Sequence, residues 1–465
     1  MKKILNGAWL FKQSTENQWM DATVPGCNFL DLMANGVIDD PFLKLNEKDV
    51  EWVGNADFEY KRTFDVSSGE LSANRVLLCA NMLDTVCDVF INGKFVASSD
   101  NCFIKFEFDV KDFLVDGENE LLIYFHSPVN WVKDKYKACM TPMNSNGQNG
   151  IVHIRKPQCH FGWDWGPVLP CSGISDDIYL EFVNEGRIED FSVTQVCNIT
   201  DATVDAKIDY TSYKDCECRI ILTSPSGEVL ISDGKSAHFE IENPELWWTY
   251  DLSEKTEQPL YTVTAELLCD GCVVDECSKK IGIRKIELNR ELDGYGKNFQ
   301  FKINDVPIFA KGANYIPPDS FITRFGEKEL NYLLDAFQFS NMNLLPIWGG
   351  GYYGSDALYD ECDRRGILVW QDFMFACQAY PFFNDDFLQN VKKEVAYNVK
   401  RISSHPSLAL WCGNNEIEDM HMAWINMPKY ILWTEKFFWQ ILEPEIRKYD
   451  TQTPYTQGSP IGKAH

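Results

Sequence analysis

The sequence predicts two all-β regions followed by a parallel β/α region, and three observations lead there. From about residue 50 to 185 short apolar runs alternate with polar positions, most clearly in DTVCDVFINGKFVASSD (84–100). The same texture continues from about 186 to 285, in RIILTSPSGEVLISDG and YTVTAELLCDGCVVDECSKKIGI. After about residue 300, helical periodicity alternates with continuous apolar runs. Period-two alternation marks half-buried strands, whereas continuous apolar strands between helices mark a parallel sheet covered on both faces.

The elements follow in order. Asn92-Gly93 between two strand-like runs is a type I′ hairpin signal, because both turn positions need positive φ. FEFDV and ELLIYFHSP extend the first region into an antiparallel sandwich. In the second region Pro225 to Gly227 and Asp270-Gly271 serve as turns, and about one hundred residues of this pattern suit an immunoglobulin-like sandwich. In the third, FAKGANYIP is strand-like, and EKELNYLLDAF places Leu330, Leu333, Leu334 and Phe337 on one helical face. MNLLPIW is the next strand. SDALYDECDRRG is a short helix capped by Ser355 and stopped by Gly366. ILVWQDFM is a strand, DFLQNVKKEVAYNVKRI a helix with Leu388, Val391, Val395, Val399 and Ile402 on one face, and LALWCGNNE the fourth strand. A helical stretch around ILWTEKFFWQILEPEI and a fifth strand at PYTQGSP complete the reading. Each strand ends in a polar or glycine-rich loop, and barrel enzymes carry their chemistry at that rim.

Composition narrows the function. A chain of 465 residues with a formal charge of −26 has no basic stripe to neutralise phosphates, so nucleic acid and anionic membranes are not expected partners. No apolar run approaches the length of a membrane span or a secretory signal, so a cytoplasmic location is expected. The 16 cysteines mostly sit inside apolar runs and read as small buried hydrophobes of a reducing compartment. CDGC (269–272) reads as a hairpin around Asp-Gly rather than a zinc site. The seven histidines have no metal-ligand spacing, and His160 and His405 read as structural. No metal and no cofactor is expected.

Five blocks together resemble the β-mannosidases of glycoside hydrolase family 2: FGWDWGP (161–167), KGANYIPPD (311–319), NMNLLPIWGGGYY (341–353), GILVWQDFMFACQAYP (366–381) and SHPSLALWCGNNE (404–416). The likeness runs from near the first residue to residue 465. It implies a multidomain chain: a jelly-roll sugar-binding sandwich (1–185), an immunoglobulin-like sandwich (186–285) and the first part of a (β/α)8 TIM barrel (286–465), with about five of its eight strands. It also implies a retaining exo-glycosidase that removes terminal β-linked mannose. On that likeness Glu416 is the general acid/base, Asn415 binds the sugar 2-hydroxyl, Trp348 and Trp424 wall the mannose subsite, and Trp163 and Asp164 reach the sugar from the first domain.

Elementary chemistry supports part of this. A leaving oxygen needs a proton, and a carboxylic acid within hydrogen-bond reach supplies it. An Asn-Asn-Glu triplet alone is more often a turn or helix cap, but its place at the rim of a fourth parallel strand favours a site. Trp163 and Trp165 taken alone read as core. Asp164 between them is harder to dismiss, since a buried carboxylate without a partner is costly.

A retaining mechanism needs a second carboxylate about 5–5.5 Å from the first. Glu418 lies two positions from Glu416 and would share its edge of the site, so it is a poor nucleophile; Asp372 at the third strand rim is nearer to plausible. The resemblance places the nucleophile on the seventh barrel strand, outside this chain. It also places an arginine where this chain has Pro346, which supplies no charge and no N–H for a ladder. The expected partners are β-mannoside oligosaccharides, with a complementing C-terminal half or a second copy of the chain. Two alternatives stay open: another sugar of the same family (β-galactoside, β-glucuronide or β-glucosaminide), and a non-catalytic glycan-binding protein.

Overall fold

A computed structural model describes residues 1–143, 147–424 and 430–460. The first region packs a six-stranded antiparallel sheet against a four-stranded one. The Gly117–Phe125 strand shows why: Leu121, Ile123 and Phe125 are buried, and Leu122 and Tyr124 between them are only half-buried. Phe11, Phe58, Tyr60, Val89 and Leu180 meet in the core between the sheets. The hairpin between Cys87–Ile91 and Lys94–Ser99 turns at Asn92 (φ 51°) and Gly93 (φ 73°), the type I′ geometry expected.

The second region is a sandwich of three- and four-stranded antiparallel sheets around Val204, Ile220, Val263 and Leu267. Tyr261–Cys269 and Cys272–Ile281 form the expected hairpin, with Asp270 at φ 53° and Gly271 at φ 76°. One expectation fails here. Cys216 and Cys269 face each other in adjacent strands and are joined as a disulfide, so these two are not simple thiols. Their sequence separation of 53 hides a pairing that only the strand register creates.

The third region opens with a small antiparallel sheet, Ile286–Asn289, Gln300–Ile303 and Val306–Pro307, before the parallel strands begin. The parallel sheet runs Leu344–Ile347, Leu368–Asp372, Leu408–Cys412 and Tyr455–Thr456 in chain order. Helices Glu327–Phe339, Asp356–Arg365 and Asp385–Ile402 pack apolar faces beside it, the last through Val391, Val395, Val399 and Ile402. Ser355 caps its helix by accepting from the Leu358 N–H, and Gly366 ends it in the left-handed region. The last helical stretch is wound wide over Phe438–Leu442, just before Pro444, whose missing N–H removes an α-type bond.

This sheet has four strands where five were expected. The 309–317 segment lies alongside Leu344–Ile347, but only Tyr315 forms a bridge, to Ile347. The Leu344 N–H donates to Lys311 O and the Trp348 N–H to Tyr315 O, both at 3.1 Å. By the two-residue period, the nitrogen facing the segment between them is that of Pro346, which has no proton to give. The Tyr315 N–H still donates to Pro346 O at 2.7 Å, but without the middle N–H the segment keeps one bridge rather than a ladder.

Two buried guanidinium groups tie the sandwiches to the third region. Arg155 makes a bidentate pair with Glu394, at 2.7 and 2.8 Å, and donates to Met374 O. Asn101 and the Tyr353 hydroxyl donate to the same carboxylate. Arg284 donates to the carbonyls of Pro406 and Leu408, at the entrance to the third strand.

Candidate active site

The Leu408–Cys412 strand runs into Gly413-Asn414-Asn415-Glu416. Parallel bridges join Asn415 to Ala376 on one side and Ser459 on the other, so the rim continues the sheet for one more register. Asn415 N–H donates to Phe375 O, Cys377 N–H to Asn415 O, and Glu416 N–H to Ser459 O. Glu416 then turns left-handed (φ 58°) and the chain enters a helical turn. Residues 415 and 416 are thereby held by backbone on both flanks while their side chains stay half-buried.

The two asparagines do different work. Asn414 is fully buried; it donates to Gln457 O and accepts from the Ile417 N–H, starting the helical turn. Asn415 stands at the rim, and its Oδ1 accepts from the Trp348 indole N–H at 2.9 Å. Cys377 lies beside both, its thiol 3.4 Å from Glu416 Oε2 and 3.6 Å from Asn415 Oδ1. Burial and then the Glu416 charge push that thiol well above its ordinary pKa, so it stays protonated and donates.

Trp348 is buried at the end of its strand, and the glycines after it shape the loop. A Cβ on Gly349 would come within 2.7 Å of the Phe373 and Phe375 carbonyls, and one on Gly350 within 2.0 Å of the Trp348 ring. The loop can therefore fold back over the indole only without side chains there. The first sandwich closes the other side: Cys159 N–H donates to Gly350 O, and Trp163 and Trp165 stand edge-on to Trp348 at 4.9 and 5.6 Å between centroids.

The structure thus gathers Trp163, Trp348, Asn415 and Glu416. Asp164 is at the tip of the hairpin of Phe161–Trp163 and Gly166–Val168, where it is exposed rather than buried, so the burial argument for it fails. Trp165 is 45% exposed and Trp163 half-buried, so neither is plain core. Trp424 ends the Met420–Trp424 turn, 48% exposed, and its indole makes no ring contact or hydrogen bond among the described residues. Trp165 and Cys377 were missed as site residues. The WDW triplet could have flagged the first; nothing in the spacing of FMFACQ flags the second.

The other carboxylates are occupied. Glu418 accepts from Gln457 and Asn414, turned away by the helical turn. Asp372 accepts from the Gly349 N–H and the Trp370 indole, and burial raises its pKa to about 7 against those donors. His405 pairs with Asp363 at 2.6 Å beside Asp360, and His160 contacts the Tyr352 hydroxyl beside Asp84 and Cys171; each trio brings its ligand atoms within 4.8 Å of one another, an arrangement that could hold a metal ion and that the spacing along the chain does not reveal. Among the described residues no helix is long and apolar enough to cross a membrane.

A carboxyl and an amide presented side by side, with indoles around them, is an arrangement suited to a sugar: the indoles rest on its apolar face and the polar pair meets its oxygens. The comparisons with known proteins agree with that class. Residues 9–176 match the glycosyl hydrolase 2 galactose-binding domain-like family, and 186–284 match glycosyl hydrolases family 2. The chain belongs to glycoside hydrolase family 2. It is 33% identical to the β-mannosidase of Capra hircus over 99% of its own length and 55% of that protein. A crystal structure of β-D-mannosidase from Dictyoglomus thermophilum superposes with a TM-score of 0.93 at 36% identity, over all of this chain and 58% of that one. A β-glucuronidase from an uncultured Clostridium shares the fold, with a TM-score of 0.71 at 19% identity. The chain spans about half the length of the β-mannosidases it matches.

Proposed function

We propose that this chain carries the acid/base half of a retaining exo-β-mannosidase, which removes terminal non-reducing β-D-mannose from oligosaccharides. The observation that carries the reading is the Asn415–Glu416 pair, held at the rim of the parallel sheet against Trp348. Glu416 protonates the leaving oxygen and afterwards deprotonates water. Asn415, oriented by the Trp348 N–H, accepts and donates to the sugar 2-hydroxyl without adding charge. Trp348 and Trp163 wall the sugar, and Asp164 contacts it from the hairpin tip, where exposure leaves its oxygens accessible. Trp424 is the outer wall. The nucleophile comes from outside this chain, so a complementing C-terminal half is its expected partner. The parallel sheet is read as the first part of a (β/α)8 barrel over 286–465, after sandwiches over 1–185 and 186–285.

The test is hydrolysis of aryl β-mannosides by the chain supplemented with a C-terminal half. Glu416→Ala should abolish turnover of mannosides with poor leaving groups and spare the first step for good ones, with azide restoring release. Equal loss for all leaving groups would refute the acid/base role. A panel of aryl β-galactoside, β-glucuronide and β-glucosaminide tests the sugar.

One observation favours a second reading. Pro346 stands where the family resemblance places an arginine near the carboxylates, and proline supplies no cation. A non-catalytic glycan-binding protein would keep mannoside binding in calorimetry and show no turnover with any complementing half.

A further inference from the structure

The CDGC stretch (269–272) does more than turn a hairpin. Cys269 stands directly opposite Cys216 in the strand on one side and directly opposite Cys272 in the strand on the other. Directly opposed residues share one face of a sheet, so the three side chains form one row across three adjacent strands, with Cys269 in the middle. The outer two differ: Cys216 is joined to Cys269 as the disulfide, and Cys272 is a free thiol. We propose that this row is a thiol–disulfide exchange site, entered by small thiols of the glutathione class through Cys272.

Three observations carry the assignment. The first is access. Cys269 is buried and Cys216 half-buried, whereas Cys272 is the one exposed thiol among the described residues. A thiol from solution therefore meets the row at Cys272. The second is direction. Displacement at sulfur runs in line with the bond that breaks, and the strand order puts Cys272 on the side of Cys269 opposite Cys216. The third is spacing. The Cα atoms of Cys216 and Cys269 are 4.4 Å apart, as in a non-hydrogen-bonded pair. Cys269 then turns its N–H and C=O towards Cys272, and opposed Cα atoms on that side stand about 5.5 Å apart, within the span of about 4.4–6.8 Å that a disulfide bridges.

The step balances within the chain. Cys272 loses its proton and its thiolate attacks Cys269 Sγ. The 269–272 bond forms, the 216–269 bond breaks, and the Cys216 sulfur leaves with the electron pair and takes up a proton. Nothing is oxidised or reduced at this stage. A small thiol then attacks Cys272 Sγ, forms a mixed disulfide there and expels Cys269 as thiolate. A second small thiol frees Cys272 and leaves as the oxidised small disulfide, so the chain gains the two electrons that the two small thiols lose. The exchange moves the crosslink from residues 53 positions apart to the two ends of one turn. A crosslink that closes a shorter loop constrains the unfolded chain less, so the second sandwich becomes easier to unfold. The site does not depend on the β-mannosidase reading.

The experiment is disulfide mapping of the full chain equilibrated with reduced and oxidised glutathione, with Cys272→Ser and Cys277→Ser in parallel. Free thiols are blocked with N-ethylmaleimide, the chain is cut before its aspartates, which separates Cys269 from Cys272, and linked peptides are read by mass spectrometry. The expected result is two linkages in the parent, 216–269 and 269–272, and 216–269 alone in Cys272→Ser. Reduction by glutathione should be about tenfold slower in Cys272→Ser and unchanged in Cys277→Ser, whose half-buried thiol lies on the same strand. Matching thermal unfolding curves show that both serine variants fold. Slower reduction in Cys272→Ser with 216–269 alone at equilibrium also supports the site, the second linkage then being transient. The 216–269 linkage alone in the parent, with reduction equally fast in Cys272→Ser, overturns the proposal. So does a parent chain in which Cys216 and Cys269 stay unlinked in oxidised glutathione.

Discussion

The indole N–H of Trp348 is bonded to Oδ1 of Asn415, 67 positions along the chain, at 2.9 Å. That bond fixes which end of the amide is oxygen. Replacing Trp348 with Phe keeps most of the apolar face but removes the donor. A hydrogen bond of this kind contributes about 0.5–1.5 kcal/mol, so methyl β-mannoside binding should weaken roughly three- to tenfold, read by calorimetry, and the smaller ring at a buried position should also lower thermal stability.

Gly350→Ala should act on the same indole from behind. The new Cβ would fall 2.0 Å from the Trp348 ring, so the ring must move. Tryptophan fluorescence should change and sugar binding should drop more than in Trp348→Phe, because position as well as bonding is lost. Unaltered binding would show that the loop yields instead of the ring.

Asp372 gives a pH dependence with a definite sign. Burial raises its pKa to about 7, above the value of about 3.9 expected when unfolded. Between those values the folded state holds the proton and the unfolded state does not, so stability falls as pH rises from about 4 to 7. Asp31, raised to about 6 by burial, adds to the same trend. In urea unfolding at pH 4.5 and 7.5, Asp372→Asn should lose less stability over that interval than the parent chain.

Arg155→Met should be strongly destabilising. It leaves Glu394 buried and ionised with only the neutral donors Asn101 and Tyr353, and breaking such a pair from one side costs about 3–5 kcal/mol. Chemical denaturation checks the loss. Adding Glu394→Gln to the same chain should recover part of it.

The elements whose signals are local could be read directly from the chain. Asn92-Gly93 turns a hairpin and Ser355 and Gly366 bound a helix, because each acts through its own backbone angles or its nearest N–H. Elements decided by neighbours distant in sequence could not. The 309–317 strand dissolves because the nitrogen it needs belongs to Pro346. Cys216 and Cys269 meet because two strands choose one register. At the site, Glu416 and Asn415 stood out through their motif and its place after a strand. Trp165 and Cys377 did not, because what matters about them is the indole and the carboxylate they touch. The exposure of Asp164 follows from a two-residue hairpin tip, which a motif flanked by tryptophans disguises as interior.

The Arg155–Glu394 pair changes what the first sandwich is for. Arg155 also holds Met374 O and lies over the Phe375 ring at 4.6 Å, one residue before the Ala376 that flanks Asn415. The loop that frames Glu416 is thus hung from the first sandwich, which lies far from it in sequence. Exchange of that domain between relatives would carry the alignment of this loop with it, so a chimera joined near residue 185 should fold this rim only when one parent supplies the arginine at 155 and the other the glutamate at 394. Recombination would respect that pairing before it respected any sequence boundary.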